Sequence, residues 1–401
     1  MIGDGWDGDP SVRPTSEPDE GPGARRRVCV VTGSRAEFGL LRTVMHAVNR
    51  HPKLELAVVA SGSHLISPAE SLRDVKAEFN IAEAVPMQIA GRTGRTEDAE
   101  SVARGVGRFA RAFDKLRPDW VVVLGDRIEA FAAAASGSIA GYAVAHIHGG
   151  DRAEGVADEA MRHAITKLAH LHLPATPQSR DRIVRMGERP EHVIVVGSPA
   201  IDGLDAMPEM SAEAFDALGA PKVVVLQHPV GRPNELEEAD AMTILEAASA
   251  ACGGDGSKIL AMMPNHDAGR PGIVRALEGA GVRRESHLPR AAFVGLLRAL
   301  ARRGGVLVGN SSAGLIECAA LRVPVVNVGP RQAGRERAGN VIDVEHIESN
   351  AVGRAIERAR IIDLSRSEHP FGDGKAGERS ANALASLSPH DPALLRKRNT
   401  Y

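Results

Sequence analysis

Two apolar runs in the middle of the chain each end in side chains that could move a proton or hold a charged ligand. The first run stops just before Asp126 and Arg127, and the second stops just before His148 and Asp151. An apolar run that stops at glycine and charge is typical of a buried parallel strand that opens into a loop. Because ligands bind beyond the carboxyl ends of such strands, the pattern predicts a site there. The alternative is that each aspartate only caps a helix.

A helical stretch from Asp158 to His172 follows the second loop and adds a further carboxylate. Asp158 and Glu159 lie in its first turn, where the helix dipole favours negative charge. Arg162 and His163 each follow four residues after one of these acids, on the same face of the predicted helix. This face either completes the site formed by the preceding loops or consists of two ordinary ion pairs.

The second half of the chain contains a Gly/Ser-rich strand-to-helix turn, GNSSAG, whose backbone N–H groups are suited to an anion. Ser311 and Ser312 lie in this turn, and Glu317 falls one turn inside the helix, close to where a ribose would lie. The next strand ends shortly before Arg331. A plain helix N-cap is the alternative, but the arginine at the next strand end favours a site.

Other strand ends supply further candidates. Arg35 follows the first strand at the start of a helix, an arrangement that favours a phosphate. The second strand ends near His64, and two strands of the second half end near His228 and Asn265. The loop GRTGRTED, residues 91–98, is either a mobile lid over an anion or a solvated connection. The turn after the first strand, Gly33–Arg35, is neither a GxGxxG fingerprint nor a Walker loop, so readings as an NAD or ATP site lack their motif there.

Strands that alternate with helices predict an α/β fold of two Rossmann-like, doubly wound domains that face a central cleft. Residues 1–24, rich in Gly, Pro and Asp, are expected to form a disordered tail. We expect one domain over residues 25–200 and a second domain over 201–368, with a helix at about 377–395 that packs back on the first. Val193–Val196 is predicted to be a strand, and the basic end RKRNTY to be solvated.

The composition of the 401-residue chain excludes several classes of protein. A net charge of −2 gives no electrostatic footprint for nucleic acid or an anionic membrane. No apolar run approaches the ~20 residues of a membrane span, and the first residues lack the apolar core of a signal peptide. Three scattered cysteines predict neither a disulfide framework nor a zinc site. We therefore expect a cytoplasmic protein.

These motifs together resemble those of the hydrolysing UDP-N-acetylglucosamine 2-epimerases, which start sialic-acid biosynthesis. The related hydrolysing epimerases of the legionaminic-acid route, which act on UDP-2,4-diacetamido sugars, are similar in the same motifs. The resemblance covers about residues 27–365 in the right order. The segments that carry it are TGSRAEFGLL, SGSHL, VLGDRIEAFAAA, HIHGGDRAEGVADEAMRHAITKLAHLH, VGSPAIDGL, HPV, PNHDAG and GNSSAGLIECAALRVPVVNVGPRQAGR.

The resemblance implies a glycosyltransferase-B type fold with UDP in the interdomain cleft, and a reaction without a metal, NAD or other cofactor. A base removes the proton at sugar C2 and UDP leaves C1, which gives a glycal. Water then adds at C1, and C2 is reprotonated from the opposite face. The products are UDP and free N-acetylmannosamine, or its diacetamido counterpart. The implied partner is the UDP-sugar, bound by a homodimer or homotetramer.

The resemblance also implies roles for individual residues. Asp126 and Asp158 match the acid/base carboxylates, whereas His148 and Asp151 stand where several or many members carry glutamate. Since imidazole titrates near pH ~6.5, His148 could serve as a base, and all four residues are taken as catalytic. The substrate-binding set is Arg35, Arg127, His228, Ser311 and Ser312 for the diphosphate, Glu317 for the ribose, Asn265 and Arg331 around the nucleotide, and His64 and Arg162 without a specified group.

Three other functions stay open at this point. A glycosyltransferase of the same fold would pass the sugar to an acceptor, and a nucleotide-sugar sensor would bind without reaction. A non-hydrolysing epimerase would release a UDP-linked product. The segments HIHGGD and GPRQAGR favour the hydrolysing class over the non-hydrolysing one, and the carboxylates at both strand ends argue against a sensor.

Overall fold

The computed structural model of the protein describes residues 25–67, 71–92, 94–152, 158–265 and 267–400. The predicted disordered tail and the side chain of Asp158 lie outside the described part of the chain. Strands and helices alternate along both halves of what is described.

Twelve strands in the described ranges form two six-stranded sheets, and all strand pairs within them are parallel. The first sheet contains β1 (Arg26–Thr32), β2 (Leu54–Ser61), β3 (Ile81–Val85), β4 (Trp120–Leu124), β5 (Ala143–Ile147) and β6 (Leu171–Leu173). The second contains β7 (Val223–Leu226), β8 (Ile259–Met262), β9 (Arg283–Glu285), β10 (Val306–Gly309), β11 (Val325–Val328) and β12 (Val341–Val344). The order β3-β2-β1-β4-β5-β6 in the first sheet is repeated as β9-β8-β7-β10-β11-β12 in the second, which is the doubly wound Rossmann order.

Helices connect the strands and cover the faces of the sheets. In the first half these are α1 (Arg35–Arg50), α2 (Leu72–Glu78), α3 (Arg95–Leu116), α4 (Ile128–Ile139), α5 (Asp158–Leu168) and α6 (Pro177–Arg185). In the remainder they are α7 (Ala212–Ala217), α8 (Asn234–Ala251), α9 (Arg270–Gly279), α10 (Arg290–Arg302), α11 (Ser312–Leu315), α12 (Glu317–Ala320), α13 (Ser349–Arg360), α14 (Ala376–Ser386) and α15 (Pro392–Leu395). No helix in the described ranges combines the length and the apolar character that crossing a bilayer requires.

The valine-rich strands are buried on both faces, because each sheet is covered by helices on both sides. Along β1, Val28 and Val30 pack into a core with α1 and α14, whereas Cys29 and Val31 pack into a second core with α3 and α4. This alternation is the period-two pattern of a strand that lies between two layers. The α/β fold of two doubly wound, Rossmann-like units predicted from the sequence is therefore confirmed.

The C-terminal helix α14 returns to the first half and packs against α1. The indole Nε1 of Trp120 donates a hydrogen bond of 3.1 Å to the carbonyl of Leu384 in this helix. Arg26 Nη1 donates to the carbonyls of Ala385 and Leu387 at 2.7 and 2.8 Å. A domain division at about residue 200 stays a prediction, because these contacts do not fix where one unit ends.

The predicted strand Val193–Val196 is wrong. Val193 forms a single parallel bridge with His172, and Val196 N donates to the carbonyl of Pro174 at 3.1 Å. Proline has no N–H to donate in return, so the ladder cannot continue past this point. The apolar run Val193–Val196 therefore stays irregular, although it lies beside β6 at the edge of the sheet.

Several other boundaries also differ from the predictions. The helix predicted from Asp158 to His172 ends at Leu168, and the last residues of that range enter the sheet as β6. The second half of the loop GRTGRTED belongs to α3, which begins at Arg95. The strands β3, β9 and β12 were not predicted, because they are short and carry charged or polar residues at the sheet edges. The basic end is not simply solvated, since Lys397 is largely buried and hydrogen bonded.

Candidate active site

The candidate residues gather at the switch point of each sheet, where the strand order reverses and a crevice opens at the carboxyl ends. In the first half this crevice lies between β1 and β4, which lead into Ser34–Arg35 and Asp126–Arg127. In the second half it lies between β7 and β10, which lead into His228 and Asn310–Ser312. The two equivalent crevices contain most of the positions that the sequence had singled out.

Asp126 is held by the buried Arg162 of helix α5. The Nη2 of Arg162 forms an ion pair with Asp126 Oδ2, and its Nη1 lies 3.9 Å from Asp151 Oδ2. Arg162 therefore links the two strand-end loops. The pair between Glu159 Oε1 and His163 Nε2, at 3.2 Å, is by contrast an ordinary ion pair on the helix. The side chain of Asp158 is not described, so its predicted role stays a prediction.

His146, on β5, positions both members of the Asp126–Arg162 pair. Its Nε2 donates a hydrogen bond of 2.7 Å to the carbonyl of Gly125, the residue before Asp126. Its Nδ1 lies 3.2 Å from the hydroxyl of Thr166, one turn after Arg162 on α5. Burial lowers the pKa of His146 to about 3, so the imidazole stays neutral at physiological pH. His146 is a structural residue behind the site rather than a proton carrier.

His148 forms a buried hydrogen-bonded chain with Asp151 and two serines. Its Nδ1 lies 2.8 Å from Asp151 Oδ2, and its Nε2 lies 3.0 Å from the hydroxyl of Ser198. Asp151 Oδ1 accepts a hydrogen bond of 2.9 Å from the hydroxyl of Ser179. The backbone of His148 is left-handed, with φ of 62°, a conformation that costs about 1–3 kcal/mol and is concentrated at functional sites.

Asp151 is ionised although it is buried. Burial alone would raise its pKa, but His148, the hydroxyl of Ser179 and the positive charge of Arg335 outweigh burial and hold the pKa of Asp151 below its usual range. An ionised Asp151 accepts the Nδ1–H of His148 and leaves Nε2 directed at Ser198. The carboxylate of Asp151 thereby fixes the orientation of the His148 ring, as the aspartate of a Ser-His-Asp triad orients its histidine.

The two arginines of the first half that were predicted to bind the diphosphate each form an ion pair with a carboxylate. Arg35 Nη2 lies 3.0 Å from Asp74 Oδ2 at the exposed start of α1. Arg127 Nε lies 3.4 Å from Oε2 of the fully buried Glu129. Both guanidinium groups lie at the carboxyl edge of the sheet, and their binding of a diphosphate stays a prediction.

His64 is buried and uses both ring nitrogens within the protein. Its Nε2 lies 3.0 Å from the hydroxyl of Thr32, and its Nδ1 lies 2.8 Å from that of Ser71. Burial lowers its pKa to about 4, so the ring is neutral at physiological pH. In this arrangement His64 ties β1 to the start of α2, and the predicted contact with substrate stays a prediction.

A second buried acid lies behind the first strand end. Glu37 Oε2 accepts a hydrogen bond of 2.6 Å from Gly33 N, and the side chain of Glu129 lies against the Cα of the same glycine. A Cβ at Gly33 would lie 2.6 Å from Glu129 Cγ, so only glycine fits here. Burial, followed by the charge of Glu129, raises the pKa of Glu37 to about 8.

The variant Glu37→Gln is expected to flatten the dependence of stability on pH. A carboxyl whose pKa is raised in the folded state stabilises the fold at low pH, and this stability is lost as the pH rises from about 4.5 to about 8. Each pH unit in that window corresponds to about 1.4 kcal/mol. Thermal unfolding at pH 6 and pH 9 should show a fall in Tm for the wild type that is several degrees larger than for Glu37→Gln. Equal falls in both proteins would show that Glu37 does not titrate in this way.

The strand ends of the second half are joined by the side chain of Asn310. Its Oδ1 accepts from His228 N at 2.7 Å, and its Nδ2 donates to the carbonyl of His228 at 2.8 Å. Ser311 is the N-cap of α11 and accepts from Ala313 N at 3.3 Å. Arg331 Nη1 donates to the carbonyl of Asn310 at 3.1 Å. These contacts fix the loop around Ser311 and Ser312 and place Arg331 beside it.

His228 is neutral and is not a cationic ligand in this arrangement. Burial, with the charge of Arg331 as a smaller cause, lowers the pKa of His228 to about 3. Its Nδ1 accepts from Asn265 N at 3.2 Å, which leaves Nε2 as the N–H donor. A phosphate oxygen could accept from that N–H, so the predicted contact with the diphosphate needs no positive charge on His228.

The helix that follows the GNSSAG turn is interrupted, contrary to the prediction. Ile316 separates α11 from α12, and Glu317 begins the second of these short helices. Glu317 Oε1 lies 3.6 Å from Nη1 of Arg290, so its carboxylate already has a counter-ion. Binding of a ribose by Glu317 stays a prediction.

Contacts between the two halves place their strand ends opposite each other. Burial raises the pKa of Asp98, at the start of α3, and the charge of Asp267 after β8 adds to this effect. Thr176 of the first half donates a hydrogen bond to Glu336 of the second. Arg335, which directly precedes Glu336, is the residue whose positive charge helps to lower the pKa of Asp151. The crevices of both sheets therefore open into one shared cleft.

Some residues of this cleft were missed by the sequence analysis. Two serines complete the chain of hydrogen bonds around His148 and Asp151: Ser179 in the first turn of α6, and Ser198 in the turn before Pro199. Neither carries a local signal of chemistry. Arg335 was visible only as one arginine among several after β11. Among the residues that the structure describes, no three His, Cys, Asp or Glu side chains are arranged to hold a metal ion. The cleft instead combines carboxylates and imidazoles on one side with arginines and a helix start on the other.

Comparison of the sequence with known proteins provides independent evidence of the family to which the chain belongs. The UDP-N,N′-diacetylbacillosamine 2-epimerase (hydrolyzing) of Legionella pneumophila is 32% identical over 94% of this chain and 100% of its own length. The UDP-N-acetylglucosamine 2-epimerase of Neisseria meningitidis serogroup B is 30% identical over 87% of this chain and 91% of its own.

The fold is likewise shared with a solved structure. The UDP-GlcNAc 2-epimerase of Methanocaldococcus jannaschii, in complex with UDP-GlcNAc and UDP, has a TM-score of 0.73 at 17% identity, over 89% of this chain and 99% of that one. This similarity supports the glycosyltransferase-B type arrangement of the two Rossmann-like units. A family model described as UDP-N-acetylglucosamine 2-epimerase matches residues 46–385, and with the two relatives this shows that the chain belongs to the UDP-N-acetylglucosamine 2-epimerase family.

Proposed function

We propose that this protein is a hydrolysing 2-epimerase that converts UDP-N-acetylglucosamine and water to UDP and free N-acetylmannosamine. The observation that carries the proposal is the pair of acid/base groups at neighbouring strand ends, the partly exposed Asp126 and the buried His148. Asp126 is held by Arg162, and His148 is held by the ionised Asp151, on one wall of the cleft. The opposite wall carries the loop of Ser311 and Ser312, which suits a diphosphate.

The first step of the reaction is loss of the C2 proton together with departure of UDP from C1. A positioned base at C2 and cationic stabilisation of the departing diphosphate are what this step requires. We assign proton transfer at C2 to Asp126, Asp158 and the His148–Asp151 pair. The fixed tautomer of His148 lets it take up a proton at Nε2 if Ser198 turns aside.

The second step is addition of water at C1 of the glycal and return of a proton to C2 from the opposite face. Two groups on different faces of the sugar ring are needed for inversion at C2. The separate positions of Asp126, after β4, and of His148, after β5, are consistent with this requirement. We assign binding of the nucleotide to six residues at the strand ends: Arg35, Arg127, His228, Ser311, Ser312 and Arg331. Glu317 and Asn265 are assigned to positions beside them.

A UDP-2,4-diacetamido sugar is the second candidate substrate. The Legionella pneumophila relative favours this sugar, because it is named for a UDP-diacetamido substrate and the match covers its whole length. The two substrates differ at C4 of the sugar, and neither the hydrolytic step nor the assignment of the C2 groups depends on this difference. Both therefore belong in the test.

The test is to incubate the purified protein with each UDP-sugar in the absence of any acceptor. We expect release of UDP together with an equimolar amount of the free sugar that is inverted at C2. A coupled assay measures the UDP, and proton NMR identifies the sugar. A UDP-linked epimer without UDP would indicate a non-hydrolysing epimerase. UDP release only with an added acceptor would indicate a glycosyltransferase, and tight binding of unchanged UDP-sugar would indicate a sensor.

A further inference from the structure

The last residues of the chain lie against the first half, far in sequence from the elements that they contact. His390 Nε2 lies 2.7 Å from Asp119 Oδ1, just before β4. Leu394, in α15, is buried in the core of the first sheet. Thr400 N donates to the carbonyl of Gly187 at 3.2 Å. The chain therefore crosses the edge of the first half and ends beside α5 and α6.

Lys397 is the residue of this segment that enters the protein. Its Nζ donates to the carbonyl of Thr166 at 3.2 Å and to that of Ala169, both at the C-terminal end of α5. The last carbonyls of a helix have no partner within it, and a lysine there also interacts favourably with the helix dipole. Lys397 thus supplies the C-terminal cap of α5.

A buried carboxylate completes the cap. Glu188 Oε2 lies 2.8 Å from Lys397 Nζ, and its Oε1 lies 2.6 Å from Lys167 Nζ. The ring of His172 lies 3.1 Å from the same carboxylate. Burial would raise the pKa of Glu188, but the hydrogen bonds from these three residues lower it to about 2, so Glu188 is ionised at physiological pH. The end of α5 is therefore held by an ionic cluster around the buried Glu188.

The capped end of α5 connects directly to the candidate active site. The carbonyl of Thr166 accepts from Lys397, and the hydroxyl of Thr166 lies 3.2 Å from His146 Nδ1. His146 holds the carbonyl of Gly125, which precedes Asp126. One turn earlier on the helix, Arg162 pairs with Asp126. A shift of the end of α5 would therefore move Arg162 and His146 relative to Asp126.

We propose that Lys397 is a positioning residue, which anchors the end of α5 and thereby sets the geometry between Arg162 and Asp126. Lys397 touches no substrate and acts only through the helix. The effect on turnover rests on the proposed function, whereas the anchoring of α5 does not.

The test compares Lys397→Met, Lys397→Arg and the control Arg398→Met, which removes one positive charge from an exposed neighbouring residue. Misplacement of a catalytic group by about 1 Å can cost up to about 100-fold, so we expect Lys397→Met to lower kcat about tenfold. KM and the affinity for UDP should stay within twofold. Hydrogen exchange, followed by mass spectrometry, should be faster in peptides of α5 and unchanged in the second sheet. Lys397→Arg should restore most of kcat, and Arg398→Met should behave as wild type.

Unchanged exchange in α5 of Lys397→Met would overturn the proposal. A loss of kcat that merely follows a lower folded fraction, with faster exchange throughout both halves, would overturn it as well. If the wild type releases no UDP from either sugar, the proposed function fails, and exchange in α5 still decides whether Lys397 anchors the helix.

Discussion

Replacing Asp126 with asparagine is expected to lower kcat for UDP release by about three orders of magnitude while UDP still binds. Asparagine keeps the shape of the side chain, but it can neither accept the C2 proton nor carry the charge that pairs with Arg162. General acid–base groups contribute about 10²–10⁴ in rate, and the disturbed Arg162 adds to the loss. UDP release measured with a coupled assay and UDP affinity measured by calorimetry would separate the chemical step from binding.

The matched control for Asp126→Asn is Glu55→Gln. It removes a carboxylate that pairs with Arg27 at the other end of the same sheet, at 3.4 Å. Loss of this exposed pair should leave kcat unchanged, since surface ion pairs contribute little to stability. Breaking one side of a buried pair can cost about 3–5 kcal/mol, so the melting temperature of Asp126→Asn must be measured too. Turnover within a few-fold of wild type would remove Asp126 from the mechanism.

The second large effect is expected for Asp151→Asn, with a fall in kcat of about two orders of magnitude. The ionised Asp151 accepts the Nδ1–H of His148 and holds the imidazole in one orientation. Asparagine can still fill the space, but it has no charge and can hold the imidazole in the wrong tautomer, as occurs when the aspartate of a Ser-His-Asp triad is changed to asparagine. Steady-state kinetics with both UDP-sugars would measure the loss.

Ser179→Ala serves as the matched control for Asp151→Asn. It removes the hydrogen bond of 2.9 Å to Asp151 Oδ1 and keeps the charge. A hydrogen bond to a charged group is worth about 1.5–3 kcal/mol, yet the carboxylate still faces His148, so kcat should fall by no more than about tenfold. If Ser179→Ala and Asp151→Asn lower kcat equally, the charge of Asp151 is not what matters.

The fold and the strand-end positions were predictable from the sequence for one physical reason. A strand buried on both faces must be apolar, so its end is marked by the first glycine and charge, as at Asp126 and His148. The same reasoning failed for β9, Arg283–Glu285, because this edge strand is charged and largely exposed. It also failed for Val193–Val196, where the pairing is stopped at Pro174 of another segment.

The partners of the candidate residues were not predictable, because they are distant in sequence. Ser198 lies 50 residues from His148, and nothing near either residue indicates that they meet. The pairing of Arg162 with Asp126 on the preceding loop could not be read from the spacing of residues within α5. Lys397 was taken for a solvated charge, since only the three-dimensional path of the chain brings it to α5.

The most direct test of the central claim is the fate of the atoms at C1 and C2 of the sugar. The reaction is run on UDP-N-acetylglucosamine, and on the diacetamido analogue, once in D₂O and once in H₂¹⁸O. The proposed mechanism predicts free epimeric sugar with deuterium at C2 and UDP without ¹⁸O, because the C1–O bond breaks. Hydrogen retained at C2, ¹⁸O in the UDP, or an epimer still linked to UDP would contradict it.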